Sequence, residues 1–259
     1  MKIGVFDSGL GGLVIAKALM LALPQYDYVY YGDTAHVPYG EKTPGRILAY
    51  TLDAMHFLIR QDCSLIIIAC NTATAITLRY LQKRFCPKFA PNVKILGVII
   101  PTVEEALKNR EKQIGVIGTP TTIHSDIYGV ELRKISPSVQ VVSLATPRLV
   151  PAIEANDFNV AEKSIAEYAK TFENIPALIL GCTHYPLVKD LFQKYLPHTR
   201  LISQDDLMGQ KLTDYLVRHN EIETKLSRKR TRQFFVSQLS PTYTQVAQKL
   251  FPKIQLEIA

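Results

Sequence analysis

Two pairs of short segments in this chain repeat each other at nearly one spacing. Lys2-Ile-Gly-Val-Phe-Asp-Ser8 returns as Gln113-Ile-Gly-Val-Ile-Gly-Thr119, and Leu65-Ile-Ile-Ile-Ala-Cys-Asn-Thr72 returns as Ala177-Leu-Ile-Leu-Gly-Cys-Thr-His184. Ile3 to Ile114 is 111 positions, and Cys70 to Cys182 is 112. Each cysteine is also followed by a helix-like segment with a Gln-Lys pair, Gln82-Lys83 and Gln193-Lys194. Two landmarks recurring in the same order at the same offset imply two similar halves. The length of 259 residues, about 1.7 times a ~150-residue domain, agrees with that division.

The segments themselves give the class of fold. Short apolar runs rich in Val, Ile and Tyr alternate with longer amphipathic stretches bounded by Pro and Gly. Strands are expected at 2–6, 28–31, 65–69, 94–99, 114–117, 139–144, 177–180, 200–203 and 234–237. Helices are expected at 13–23, 46–60, 73–84, 123–134, 160–172 and 207–219. Strands without alternation are buried on both faces, which is the habit of largely parallel sheets in α/β folds. We therefore expect two pseudo-symmetric doubly wound domains with the active site in the cleft between them. The first comprises 1–96 with 209–259, the last stretch returning to complete it, and the second 97–208.

Composition removes several classes of function. With 47% hydrophobic and 20% charged residues, collagen-like and generally disordered chains are excluded. No apolar run approaches the ~20 residues of a membrane span, and the N-terminus lacks a signal peptide's apolar stretch, so a cytoplasmic protein is expected. The four cysteines are too few for a disulfide scaffold, and none forms a Cys-x-x-Cys pair, which argues against a zinc ribbon or thioredoxin-like site. The formal charge, 30 − 23 = +7, owes much to Lys225, Arg228, Lys229, Arg230 and Arg232. That cluster reads as a solvated surface, and no nucleic-acid partner is expected; salt-dependent binding would say otherwise.

The residues that carry chemistry stand where strands run into helices, the position at which open α/β sheets bind ligands. Asp7-Ser-Gly-Leu-Gly-Gly12 is a small-residue turn whose backbone N–H groups are expected to form an anion site. It is neither a dinucleotide fingerprint, since Val14 stands where glycine is needed, nor a P-loop. An aspartate nucleophile for phosphoryl transfer is weakened because Gly9 occupies the place of a second aspartate. After the second strand, Tyr39 and Gly40 of Val37-Pro-Tyr-Gly40 can offer a hydroxyl and a close backbone approach. Cys70 and Cys182 both end strands, where a helix N-terminus would lower a thiol's pKa and favour thiolate. Cys63 and Cys86 lack that setting and read as ordinary buried residues. One thiol on each of two facing halves can take a proton from one face of a carbon and return one to the other, which inverts the centre. Asp7 would lie near Cys70, and His184 is two residues from Cys182, so each thiol has a titratable neighbour.

At these residues the sequence resembles the glutamate racemases of the cofactor-independent aspartate/glutamate racemase superfamily. The motifs are Gly4-Val-Phe-Asp-Ser-Gly-Leu-Gly-Gly12, Tyr31-Gly-Asp-Thr-Ala35 with Val37-Pro-Tyr-Gly40, Ile68-Ala-Cys-Asn-Thr-Ala-Thr-Ala75, Ile117-Gly-Thr119 with Thr122, and Leu180-Gly-Cys-Thr-His-Tyr-Pro-Leu187. The resemblance implies interconversion of L- and D-glutamate without cofactor or metal, supplying D-glutamate for peptidoglycan. It makes Cys70 and Cys182 the acid/base thiols, Cys70 taking the proton from D-glutamate and Cys182 from L-glutamate, assisted by Asp7 and His184. It assigns substrate contact to Asp7, Ser8, Tyr39, Gly40, Asn71, Thr72, Thr183 and His184, with Thr74, Thr119 and Thr122 as further contacts and Glu154 as an additional acid. An aspartate or hydantoin racemase is the nearest alternative. Some relatives bind DNA gyrase, although no motif here points to it. A homodimer is expected. Because the motifs contain no Arg or Lys, glutamate would be anchored by helix N-termini and hydroxyls, with Asp7 near its ammonium group.

Overall fold

The computed structural model describes all residues, 1–259. Ten strands lie in two sheets: β1 (Lys2–Asp7), β2 (Tyr28–Gly32), β3 (Cys63–Ile68), β4 (Lys94–Gly97), β5 (Gln113–Gly118), β6 (Gln140–Ala145), β7 (Ala177–Gly181), β8 (Arg200–Ile202), β9 (Arg232–Val236) and β10 (Leu256–Ile258). Six form one sheet in the order β10-β9-β2-β1-β3-β4, and four form the other in the order β6-β5-β7-β8. Every pairing is parallel. The sequence repeat is thus a structural one: β2-β1-β3-β4 and β6-β5-β7-β8 have the same order, with β1 equivalent to β5 and β3 to β7. The chain's last stretch adds β9 and β10 to the free edge of β2.

Successive residues of the central strands feed different cores, as the period of two requires. Ile66 and Ile68 join Phe6, Cys63 and Cys86 beneath the helix Pro44–Arg60, so Cys63 and Cys86 are packing residues. Ile117, Leu178 and Leu180 pack beneath helices Leu149–Glu154 and Phe158–Ala169. On the opposite faces, Ile3, Val5, Leu65 and Ile67 of one sheet and Ile114, Val116 and Ile179 of the other share a single core. The helix Gln204–Arg218 contributes Leu207, Met208, Leu212 and Leu216 to it. The two halves are therefore joined by apolar packing. No helix is long and apolar enough to cross a membrane.

Two expected elements differ. The strand expected over 94–99 ends at Gly97, and the apolar run continues as the helix Ile99–Ala106. The helix expected over 123–134 is two, Pro120–His124 and Ile127–Ile135, separated where Asp126 takes a left-handed φ of 47°.

The halves also meet at the glycine turn after β1. A Cβ on Gly11 would stand 2.3 Å from the carbonyl carbon of Thr183 and 2.5 Å from the backbone nitrogen of His184. Backbone cannot yield as a flexible side chain would, so only glycine allows this approach. Gly11→Ala should cost about 1–3 kcal/mol by overpacking, at about 2–4 °C of Tm per kcal/mol. Gly45→Ala, where nothing lies within 4 Å of the added Cβ, should leave Tm unchanged or raise it in the same melting experiment.

Candidate active site

The carboxyl ends of β1, β3, β5 and β7, the central strands of the two sheets, converge on one cavity. Its walls include Ser8, Tyr39, Gly40, Cys70, Asn71, Thr72, Thr119, Cys182, Thr183 and His184, all singled out from the sequence. Val37, Pro38 and Val150 complete the lining, and no Lys or Arg belongs to it. The space is about 20 Å³, room for about one water molecule.

Cys70 is the N-cap of the helix Asn71–Tyr80, and its Sγ accepts from the Ala73 N–H at 3.4 Å, with Ser8 Oγ at 3.3 Å. The helix N-terminus is thus where the sequence put it, but its expected effect on the thiol is overcome. Burial, reinforced by the nearby Asp7 charge, pushes Cys70 up to about 12 against the help of Ser8 and Ala73. At neutral pH it is a thiol.

Cys182 departs from expectation in a different way. Thr183 and His184 form a turn, Tyr185–Val188 is a 3-10 turn, and the α-helix begins only at Lys189. The turn and the 3-10 segment separate Cys182 from that helix, so Cys182 caps none. Its partner is a side chain: His184 Nδ1 lies 3.6 Å from Sγ, while Nε2 meets Glu154 Oε1 at 2.5 Å. Burial alone would lower the His184 pKa, but its bonds to Cys182 and Glu154 outweigh that and hold it well above the ordinary imidazole value. Burial would likewise raise Glu154, and His184 overrides it downward. Behind Cys182 therefore stands an imidazolium–carboxylate pair.

The glycine turn also binds differently. Its N–H groups are engaged by the chain's own carboxylates: Gly9 and Gly12 each donate to Asp7 Oδ2 at 3.0 Å, and Leu10 donates to Glu154 Oε1 at 3.0 Å. Asp7 ends the strand that feeds the turn, so its side chain reaches the donors before an external anion can. Thr183 Oγ1 donates to Asp7 Oδ1 at 3.1 Å from the other half. Burial raises Asp7 to about 6, with His184, Gly9, Thr183 and Gly12 opposing it.

Of the other expected contacts, Thr122 lies just behind the wall. Its hydroxyl, with those of Thr72 and Thr119, forms a triangle of 2.8, 3.1 and 3.0 Å across the two halves. Tyr39 donates its hydroxyl to the buried Asp33 at 2.6 Å, so its proton is already committed. Thr74 is not brought to the cavity; its hydroxyl donates to the Ile68 carbonyl at 3.1 Å. Sequence reasoning placed Asp33 in a turn motif without a role, and it missed Tyr128 and Gln204, which bond to Asn71 from distant helices. Their partners lie 57 and 133 residues away, and no local motif marks such contacts.

Comparisons with known proteins identify what the chain as a whole is similar to. The family model described as Asp/Glu/Hydantoin racemase matches residues 14–204. A glutamate racemase of Streptococcus sanguinis is 36% identical over 254 residues, covering 95% of this chain and 93% of the relative. The solved glutamate racemase of Francisella tularensis in complex with D-glutamate is 35% identical, with a TM-score of 0.88, covering 100% of this chain and 97% of that one. A glutamate racemase isoform of Bacillus anthracis, 29% identical, gives 0.87 with 100% and 96% coverage.

The carboxyl environment has a direct readout. In carbon NMR of aspartate-labelled protein, the Asp7 carboxyl should titrate near pH 6. Thr183→Val removes a donor that favours the ionised form and should move that titration upward; a midpoint near 4 in both proteins would contradict the assignment.

Proposed function

This chain belongs to the Asp/Glu/hydantoin racemase family, and from that premise we infer that it is a glutamate racemase interconverting L- and D-glutamate. The observation that carries the reading is the placement of Cys70 and Cys182 at equivalent strand ends of two facing halves, lining one cavity. The named relatives are glutamate racemases, which favours glutamate over aspartate or hydantoin as substrate.

The reaction needs one proton removed and one delivered. With L-glutamate bound, Cys182, whose proton His184 can hold, takes the α-proton and becomes a thiol. The electron pair left on Cα then takes the Cys70 proton on the opposite face, giving D-glutamate and a Cys70 thiolate. With D-glutamate the roles exchange, and Asp7 beside Cys70 assists deprotonation there. Glu154 stabilises the imidazolium, as a carboxylate behind a catalytic histidine does. The sequence calls for no cofactor or metal in this scheme.

Binding rests on neutral donors. Ser8, Asn71, Thr72, Thr119, Thr122 and Thr183, with the Tyr39–Gly40 backbone, offer hydroxyls and N–H groups to the substrate carboxylates. Asp7 suits the ammonium group. A cavity of about 20 Å³ is far smaller than glutamate, so admission requires the walls to part. We assign the two bodies to 1–96 with 209–259 and to 97–208, the protein to a cytoplasmic homodimer, and its product to peptidoglycan synthesis.

Incubated with L-glutamate in deuterium oxide and no added cofactor, the protein should exchange the α-hydrogen as the circular dichroism signal decays, and aspartate should turn over far more slowly. Cys70→Ala and Cys182→Ala should each lower racemisation by about 10³-fold or more; full activity in either variant sinks the two-thiol scheme. The rate should also depend on Asp7. Its carboxyl must be ionised to assist Cys70, so kcat/KM should fall as pH drops through about 6. In Asp7→Asn that acidic limb should vanish along with about 10²-fold of the rate; a limb unchanged in the variant assigns it to another group.

A further inference from the structure

We propose that Tyr128 and Gln204 are positioning residues that hold the Asn71 side chain with its NH₂ group turned into the cleft, as a donor to a substrate carboxylate. The proposal rests on the reading of Asn71 as a substrate contact given above. An asparagine amide can face a ligand with either end, and the two ends have opposite polarity. Here the surrounding hydrogen bonds decide which.

The decision begins at Thr102. Its hydroxyl proton is given to the Val98 carbonyl at 2.7 Å, so toward Gln204 the Thr102 oxygen can only accept. Gln204 must therefore present Nε2, which lies 3.4 Å from Thr102 Oγ1, 3.2 Å from the Tyr128 hydroxyl and 3.4 Å from Asn71 Oδ1. With its oxygen accepting from Gln204, Tyr128 gives its single proton to Asn71 Oδ1 at 2.5 Å. Gln204's two N–H hydrogens thus go to Thr102 and Tyr128, the Tyr128 hydroxyl so oriented holds the carbonyl end of Asn71, and the Asn71 Nδ2 is left over.

That Nδ2 is buried and has no partner in the protein, although Asn71 itself lines the cavity. An unpaired buried donor is costly, and an incoming carboxylate oxygen removes that cost. The relay joins four helices, Ile99–Ala106, Gln204–Arg218, Ile127–Ile135 and Asn71–Tyr80. All four of its side chains are buried, so bulk water does not compete for their bonds.

Steady-state kinetics of the full-length protein test the relay. Asn71→Ala should raise KM for glutamate, and Tyr128→Phe and Gln204→Leu should each raise it about tenfold, the worth of one hydrogen bond, with kcat within about threefold. If both residues act only through Asn71, adding either change to Asn71→Ala should raise KM no further. Additive effects in the double variants would show a general structural role and overturn the proposal. So would a wild-type KM for Tyr128→Phe and Gln204→Leu when Asn71→Ala is impaired. A wild-type KM for Asn71→Ala would instead remove the substrate-contact reading, and the relay with it. Melting curves establish folding, and if Tyr128→Phe does not fold, Gln204→Leu and Thr102→Val complete the same cycle.

Discussion

The Asp7 carboxylate is the contact on which the rest of the site is arranged. It ends β1, collects the N–H groups of Gly9 and Gly12, and so shapes the turn into the helix Gly12–Ala22. It also takes a hydroxyl from Thr183, across the cleft, beside the point where Gly11 meets the Thr183 backbone. A fully buried carboxylate is costly unless bonded, and these donors offset much of that cost while leaving Asp7 near 6. The same group therefore fixes the turn, ties the halves together and raises the proton affinity of Cys70.

The repeat provides the two thiols, and departures from the repeat give them different surroundings. In the repeat, Ser8 corresponds to Thr119 and Cys70 to Cys182, but Asp7 corresponds to Gly118 and Thr72 to His184. The acid thus stands only on the first half and the imidazole only on the second. Two identical half-sites would give each thiol the same proton affinity, with nothing to favour one as donor and the other as acceptor. L- and D-glutamate have equal free energies, so this asymmetry can change kcat and KM for each enantiomer but not the ratio of the two kcat/KM values.

How much of this could be read from the sequence depended on the range of the interactions. Strand positions, the twofold division and the cysteines at the strand ends were legible because they rest on local runs and a repeat. The end of β4 was not, since Ile95–Ile100 is apolar throughout and only packing turns it into a helix at Ile99. The anion site was misread for a similar reason: the turn's donors are visible locally, but Glu154, 144 residues from Leu10, is not. The basic cluster was legible only in part. Lys225, Arg228, Lys229 and Arg230 are exposed as expected, Arg228 beside Glu223, but the half-buried Arg232 donates to the Pro24 and Tyr26 carbonyls, closing β9 onto β2.

The shared apolar core also determines how such a closed cavity can open. Separating the two halves outright would expose Ile3, Val5, Ile114 and Val116 with the helix packed over them, at about 25 cal/mol for each Å² of apolar surface. At the cavity the seam is polar. Thr121 donates to the Gly40 carbonyl at 2.8 Å, and the Thr72, Thr119 and Thr122 hydroxyls bond one another. Such bonds exchange for bonds to water at small net cost, so parting the seam at the cavity costs far less than separating the core. On the proposed assignment of these threonines to substrate contact, glutamate's carboxylates take the place of the hydroxyl partners, so the groups that seal the closed cleft are the ones that would hold the substrate.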